Sequence, residues 1–333
     1  MKIILTGVAG LLGCHLSRHL LSKGHSVLGI DDFSGGYKDF LPKHPNFNFY
    51  KHNLNGNASS EFINKIFKQF EPDVVYHFAA YAAEGLSPFI RKYNYENNLL
   101  SSVNLINPCI EHNVKLIFTS SMAVYGEQVP PFKEEINPRP IDPYGIAKYA
   151  VEMDLKVACE QFGLKYNIIR PHNVIGIYQN IWDKYRNVIG IFIRKVLNDE
   201  PMVIYGDGSQ TRAFSDITYY MEPFEKLINH HDGEIFNIGA DKYWSIKEVA
   251  NFVKEIAQRH NYNPTIEHLE PRHEVKHAYC DHEKAKKLLN FQDKTDLIKV
   301  IEKMFLWAMN EPKREIKYRE YEISKNIYSY WKS

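Results

Sequence analysis

The apolar run Ile3-Ile4-Leu5 passes through Thr6 directly into Gly7-Val8-Ala9-Gly10-Leu11-Leu12-Gly13. It reads as a strand, a tight turn and a helix start. Glycines suit this corner because the turn needs backbone angles other residues resist, the chain must come close to a pyrophosphate, and the helix must sit tightly on the sheet. The amides and dipole at the helix N-terminus then favour an anion. Leu12, Leu16, Leu20 and Leu21 give the helix an apolar face. A second buried strand, Ser26-Val27-Leu28-Gly29-Ile30, ends on Asp31-Asp32, about 20 residues after the turn. These features together describe a dinucleotide-binding corner, against the plainer reading that the two acids cap a loop. A carboxylate at Asp31 accepts both adenosine ribose hydroxyls and repels a 2'-phosphate, which favours NAD over NADP.

The alternation continues. Strands are predicted at 47–51, 73–78, 115–119 and 166–170, and helices at 61–70, 91–112 and 144–162, with Pro108 expected to kink the second of these. This pattern predicts an α/β fold with a Rossmann-type doubly wound parallel sheet and its ligand at the carboxyl ends of the strands. Beyond Arg170 the pattern loosens, with strands at 202–205 and 235–238 and helices at 189–197, 245–260, 282–289 and 297–309. The expected division is an NAD-binding domain over 1–171, a smaller mixed α/β substrate domain over 172–310 that can interleave with it, and a charged aromatic tail over 311–333. Tyr318, Tyr321, Tyr328, Tyr330 and Trp331 make that tail a packing or pairing segment, since aromatics are scarce in disordered chain.

Composition narrows the class further. Lys and Arg total 41 against 40 Asp and Glu, a net charge of +1, so no bulk field points to nucleic acid or membrane and a phosphate ligand must be held locally. Cys14, Cys109, Cys159 and Cys280 are scattered without a C-x-x-C pair, which fits reduced thiols in the cytoplasm and no metal site. The first strand starts at residue 2, leaving no room for a leader, and no apolar run is long enough to span a bilayer.

Tyr144-Gly145-Ile146-Ala147-Lys148 sets a phenol and an ammonium four residues apart at a helix start, on one face. A nearby ammonium and a nicotinium ring both favour the phenolate, so the pair is expected to lower the tyrosine pKa and let it take a proton from a sugar hydroxyl. The fifth strand ends in Thr119-Ser120-Ser121, and Ser121 is placed to share that proton.

At this point the chain resembles the extended short-chain dehydrogenases/reductases, specifically the NAD-dependent nucleotide-sugar epimerase/dehydratase group typified by UDP-glucose 4-epimerase. The resemblance rests on Gly7, Gly10 and Gly13, Asp31, His77-Phe78-Ala79-Ala80, Asn98, the run from Ser120 to Gly126, the Tyr144/Lys148 pair, and the run from Arg170 to Gly176. It continues through Gly206 to Arg212, Arg272 to Lys276, and Asp281. It covers residues 2 to about 310 and is too ordered to be chance.

The resemblance implies a set of roles. Ser121, Tyr144 and Lys148 would be catalytic, with Lys148 also bonding the nicotinamide ribose. The cofactor would lie on Gly7, Gly10, Leu11, Leu12, Gly13, Asp31, Asp32, Asn53, Leu54, Phe78, Ala79, Ala80 and Asn98 as well as Tyr144 and Lys148. Asn53 is read as reaching the adenine edge or as a solvated loop residue. The nucleotide-diphosphate sugar would meet Glu84, Ser121, Met122, Ala123, Asn173, Arg212, Arg272 and Ala278, the two arginines holding the diphosphate. Glu84 either bonds the sugar or pairs with an arginine, the pairing being favoured, and Ala278 suggests room for a 2-N-acetyl group. Helices 91–112 and 144–162 resemble those that pair across a homodimer axis.

Within the family, dehydratases carry Asp-Glu after the Ser/Thr, where this chain has Met122 and Ala123. The 3,5-epimerases need a further thiol or amine, which Ala123 and Asn187 do not offer, and 4-keto reductases use NADPH, against Asp31. The expectation is a nucleotide-sugar 4-epimerase acting on UDP-glucose/galactose or N-acetyl derivatives through a transient 4-keto sugar. The alternatives are a net 4-dehydrogenase and a non-catalytic NAD(H)-sensing module.

Overall fold

The computed structural model describes residues 1–272, 274–315 and 320–331; His273, Tyr318 and the last two residues lie outside the described residues. In the first half, β1 (Lys2–Thr6), α1 (Leu11–Ser22), β2 (Ser26–Asp31), β3 (Phe47–Lys51), α2 (Asn57–Phe70) and β4 (Val74–His77) follow one another. They lead to α3 (Arg91–Tyr95), α4 (Ser101–Glu111), β5 (Lys115–Thr119), α5 (Pro143–Phe162) and β6 (Tyr166–Pro171). The second half holds β7 (Val174–Ile175), α6 (Val188–Leu197), β8 (Met202–Tyr205), β9 (Thr211–Ala213), β10 (Ser215–Asp216), α7 (Met221–Lys226) and β11 (Ile235–Ile238). It ends in β12 (Tyr243–Ser245), α8 (Ile246–Arg259), β13 (Ile266–Leu269), β14 (His277–Ala278), α9 (Glu283–Leu289) and α10 (Leu297–Met309).

Seven parallel strands form one sheet in the order β11-β6-β5-β4-β1-β2-β3. The order reverses at β1, so β1 and β4 diverge into opposite crossovers and leave a crevice at their carboxyl ends. Strands β4 and β5 are buried throughout, as their unbroken apolar runs require of a sheet covered on both faces. One core, with Ile3, Leu5, Leu16, Leu20 and Tyr76, lies on one face. A second, with Ile4, Leu28, Ile63, Phe67, Leu116 and Leu155, lies on the other.

The stretch 172–310 contributes to two cores. Helices α6, α8 and α10 enclose their own cluster around Ile193, Val249 and Met304. Ile217 to Ile238 and Ala285 to Phe291 instead pack on the main sheet, and β11 is its edge strand. The expected helix over 91–112 is corrected in one respect. It continues through Pro108 to Glu111, and its irregularity falls at a π-helical turn over Glu96–Leu100. There Asn98 reaches back to bracket the backbone of Tyr81, accepting from its N at 2.9 Å and donating to its O at 3.1 Å. The side chain that must make this tie, and not the proline, sets the local geometry.

Candidate active site

The carboxyl ends of β1, β2, β4, β5 and β6 open onto a cavity of about 950 Å³ that extends to α6, β8 and the 269–275 segment. Its three glycines do different things. Gly7 has φ of +68°, and a Cβ there would sit 2.7 Å from the Ala79 backbone N. A Cβ on Gly13 would fall 2.2 Å from the Gly7 carbonyl, so its bareness lets α1 sit on β1. A Cβ on Gly10 would meet only that same carbonyl, at 3.3 Å, so the space it leaves faces the cavity. Gly10 is also the N-cap of α1 and brings no side chain to its amides, which leaves the dipole end to an anion.

At the end of β2, Asp31 is buried, with one oxygen accepting from Ala9 N at 2.9 Å and the other from Phe33 N at 2.7 Å. A carboxylate held in this way at the end of β2 lies on the cavity lining. Asp32 accepts from Asn53 Nδ2 at 3.0 Å, tying the two predicted adenosine-side residues together. Buried Thr119 Oγ1 and Asn173 Nδ2 have no hydrogen-bond partner among the described residues, and Asn173 sits at φ of +40°. Unpaired polar atoms and backbone strain at a cavity wall mark ligand contacts. The uncapped helix start, the bare Gly10 and the placed carboxylate fit a dinucleotide.

Asp142 caps α5, accepting from Tyr144 N at 2.9 Å and Gly145 N at 3.0 Å, with Pro143 as the first helical residue. The cap aims Tyr144 and Lys148 into the site, both nearly fully buried. Ser121 lies beside the Tyr144 phenol, where it favours the phenolate, and its Oγ accepts from Ala123 N at 3.1 Å. Lys148 Nζ donates to Thr119 O at 2.8 Å and lies 5.9 Å from the Tyr144 ring centre.

Lys148 does not by itself bring the phenol pKa down. Burial pushes Tyr144 above its ordinary value; Ser121 opposes this, while Glu84 and Asp142 add to it. Burial also pulls Lys148 down to about 7, against the pull of Glu152. For both groups desolvation is the largest influence. Behind them, Glu152 accepts from Ser120 Oγ and from Arg170 Nε at 2.9 Å, and Arg170 Nη1 donates to Tyr125 OH at 2.8 Å. This buried ion pair stiffens the wall that carries Ser121 and Lys148.

At the other end of the cavity, Arg212 Nη2 and Arg272 Nη2 each lie 3.2 Å from Glu274 Oε2, and Arg272 Nε is unpartnered. Two guanidiniums converge on one oxygen of Glu274, a fork whose donor geometry suits an anion. Glu84 makes no ion pair among the described residues, against the favoured pairing. It lines the cavity and keeps exposed surface there. Desolvation raises its pKa to about 7; Asp142 adds to this and Arg212 works against it.

Most of the predicted residues line this cavity, among them Leu11, Leu12, Leu54, Phe78, Ala79 and Ala80. Asn98 does not; its amide is spent on the Tyr81 backbone. Met122, Ala123 and Ala278 line a side pocket of about 20 Å³ that shares Glu84 and Arg212. That is space for roughly one water, so alanine at 278 does not by itself admit an N-acetyl group. Sequence reasoning missed Arg186. Its Nε bonds Asp183 Oδ2 at 3.0 Å, its Nη2 is unpartnered, and its guanidinium lies 4.8 Å from the Tyr81 ring centre. A Cβ on Gly35 would come 2.6 Å from that Nη2. It sits in a polar loop whose pattern carries no signal, and only the fold brings it to the loop after β2.

A dinucleotide corner, a Ser/Tyr/Lys cluster at the strand ends and an arginine fork across the cleft define an NAD-binding enzyme of the extended short-chain dehydrogenase/reductase type. A family model, the NAD dependent epimerase/dehydratase family, matches residues 3–239, and the chain belongs to that family. A Bacillus subtilis protein named an uncharacterized UDP-glucose epimerase is 30% identical over 313 residues, covering 89% of this chain and 94% of the relative. The Thermotoga maritima UDP-glucose 4-epimerase, solved with UDP-glucose, superposes with a TM-score of 0.86 at 30% identity, over 93% of this chain and 99% of that one. A Methanobrevibacter ruminantium UDP-N-acetylglucosamine 4-epimerase, solved with UDP-N-acetylmuramic acid, gives a TM-score of 0.83 at 28% identity over 92% and 98%.

Proposed function

We propose that this chain is an NAD-dependent 4-epimerase of UDP-sugars. The observation that carries the reading is the buried Ser121/Tyr144/Lys148 cluster set between the dinucleotide corner and the Arg212/Arg272 fork. NAD, when bound, supplies the two-electron exchange at the sugar C4 carbon. Everything else falls to the chain. Ser121 lies beside Tyr144, whose phenolate form, favoured by Ser121 and by the positive nicotinamide ring when NAD+ is bound, would take the proton of the C4 hydroxyl and, as the phenol, return it. Lys148 holds the end of β5 through Thr119. Arg212 and Arg272 grip the diphosphate, the pivot about which the sugar turns to present its other face. Met122 and Ala123 cannot donate or accept a proton, so no side chain follows Ser121 to drive water elimination.

The molecule is also proposed to be a cytoplasmic homodimer, supported by four free thiols and by the apolar outer face of α5. Among the described residues no helix is long and apolar enough to cross a membrane.

The test is to incubate the protein with UDP-glucose and UDP-galactose and resolve the products by NMR. Interconversion without net NADH supports the reading, whereas stoichiometric NADH release with a keto product turns it to the 4-dehydrogenase. Tyr144→Phe should lower turnover by about 10²–10⁴-fold while leaving bound NAD in place.

A further inference from the structure

The C-terminal segment lies beyond the matched family region, yet it touches three separate stretches of the cavity lining. Glu322 accepts from the backbone N of Lys92 at 2.7 Å and of Tyr93 at 2.8 Å, and its own N donates to Phe89 O at 2.9 Å. This pins the segment to the stretch from Glu84 to Tyr93. Tyr321 OH is 2.8 Å from Tyr185 OH and donates to Trp331 O at 2.9 Å, which ties it to the loop carrying Arg186. Tyr330 stacks between Tyr205 of β8, 4.5 Å between ring centres, and Tyr328, at 5.3 Å. The other side of this group is closed by Arg272, whose guanidinium lies 4.7 Å from the Tyr205 ring centre. Trp331 is 7% exposed and stands edge-on to Phe89 and Tyr185, within reach of Gly85.

Tyr328, Tyr330 and Trp331 therefore line the same cavity as Glu84, Arg212 and Arg272. They are far in the chain from the Gly7–Gly13 turn and from Asp31.

We propose that residues 320–331 form a fixed wall of the nucleotide-sugar half of the site, with Tyr330 and Trp331 as specificity-determining residues that shape the pocket for the substrate. The inference rests on the reading of this cavity as a nucleotide-sugar site. Aromatic rings bring large, rigid contact area at low entropy cost, and a closed wall strengthens the arginine fork by excluding water. The contacts of the wall fall on the Glu84–Tyr93 stretch, Tyr185 and Tyr205 and not on the Gly7–Gly13 turn or Asp31, which separates its effect from that of general packing. A purely structural role would weaken NAD retention and sugar-nucleotide affinity together.

The experiment uses a chain ending at Arg319, together with full-length Trp331→Ala and Tyr330→Ala, all compared with the full chain. UDP-glucose is titrated calorimetrically into each NAD-loaded protein, bound NAD is quantified by absorbance, and KM and kcat are measured separately. UDP-glucose affinity should fall by about tenfold or more and KM should rise in step, with NAD content unchanged. Should the shortened chain fail to fold, the two point variants carry the test. Wild-type UDP-glucose affinity in both of them would overturn the wall, as would parallel loss of NAD. A full chain that binds UDP-glucose without epimerising it sinks the 4-epimerase reading alone, since the binding comparison still reads the wall.

Discussion

At the scale of single residues, Glu84 and Lys148 are side chains whose charge state changes within the working range. Burial among Asp142 and Glu274 raises the Glu84 pKa to about 7, with Arg212 and Arg272 pulling the other way. Below that pH it is a neutral acid that can donate to a sugar hydroxyl, and above it a carboxylate that only accepts. The kcat/KM for the nucleotide sugar should therefore change across pH 7 in the wild type, and Glu84→Gln should remove the Glu84 part of that change, leaving the Lys148 part and NAD binding intact. A variant whose pH profile superposes on the wild type would show that Glu84 does not meet the substrate. Residues of this kind mark what a sequence conceals. Gly7, Gly10, Gly13 and Asp31 were legible because their spacing is dictated by local backbone geometry, and Tyr144 with Lys148 because one helical turn joins them. Arg186 and Glu274 owe their place to contacts between stretches far apart in the chain, and the raised pKa values of Glu84 and Tyr144 follow from burial, which spacing does not report.

The same division runs through the elements. Strands β1 to β6 were readable to within a residue or two, because a doubly covered parallel sheet demands unbroken apolar runs. The π-helical turn before α4 was not, since it serves a side-chain tie to Tyr81. Strand β4 and α4 are joined by another such tie, through His77, whose Nδ1 is hydrogen-bonded with Thr6 Oγ1 at 2.8 Å and whose Nε2 is hydrogen-bonded with Ser102 Oγ at 2.9 Å. Burial, with Lys148 adding to it, holds the His77 pKa down to about 3. The folded protein keeps this imidazole neutral, whereas the unfolded chain takes up a proton below about 6.5. The stability His77 provides is thus complete above that pH and is lost as pH falls from there towards 3. By pH 5 the loss from this one residue is about 2 kcal/mol. His172, buried against His282, is shifted in the same direction and adds to the trend. Urea denaturation at pH 7 and pH 5 measures the slope, and His77→Gln should reduce it. An unchanged slope in that variant would remove His77 from the account.

On the scale of the whole molecule, α5 carries apolar residues on its outer face as well as on its buried one. Its inner face buries Tyr144, Lys148 and Glu152, the polar groups of the site, while Ile146, Met153 and Val157 stand on the outer face, Met153 55% and Val157 45% exposed. At 100° per residue these three fall within one narrow stripe. Leu100, 51% exposed in the π-helical turn that leads into α4, adds to the apolar surface of the neighbouring helices. A stripe of this kind finds its natural cover in the same stripe of a second copy, giving a two-fold four-helix bundle. The proposed dimer would then brace α5 from outside and hold its catalytic start in register. Light scattering or sedimentation should report a dimer for the native chain. Met153→Glu with Val157→Glu should give a folded monomer, because two carboxylates facing their symmetry mates would be desolvated without partners. Turnover in that monomer should fall while bound NAD remains, since Tyr144 and Lys148 ride on α5 and the glycine turn does not. A native chain that sediments as a monomer would exclude the arrangement.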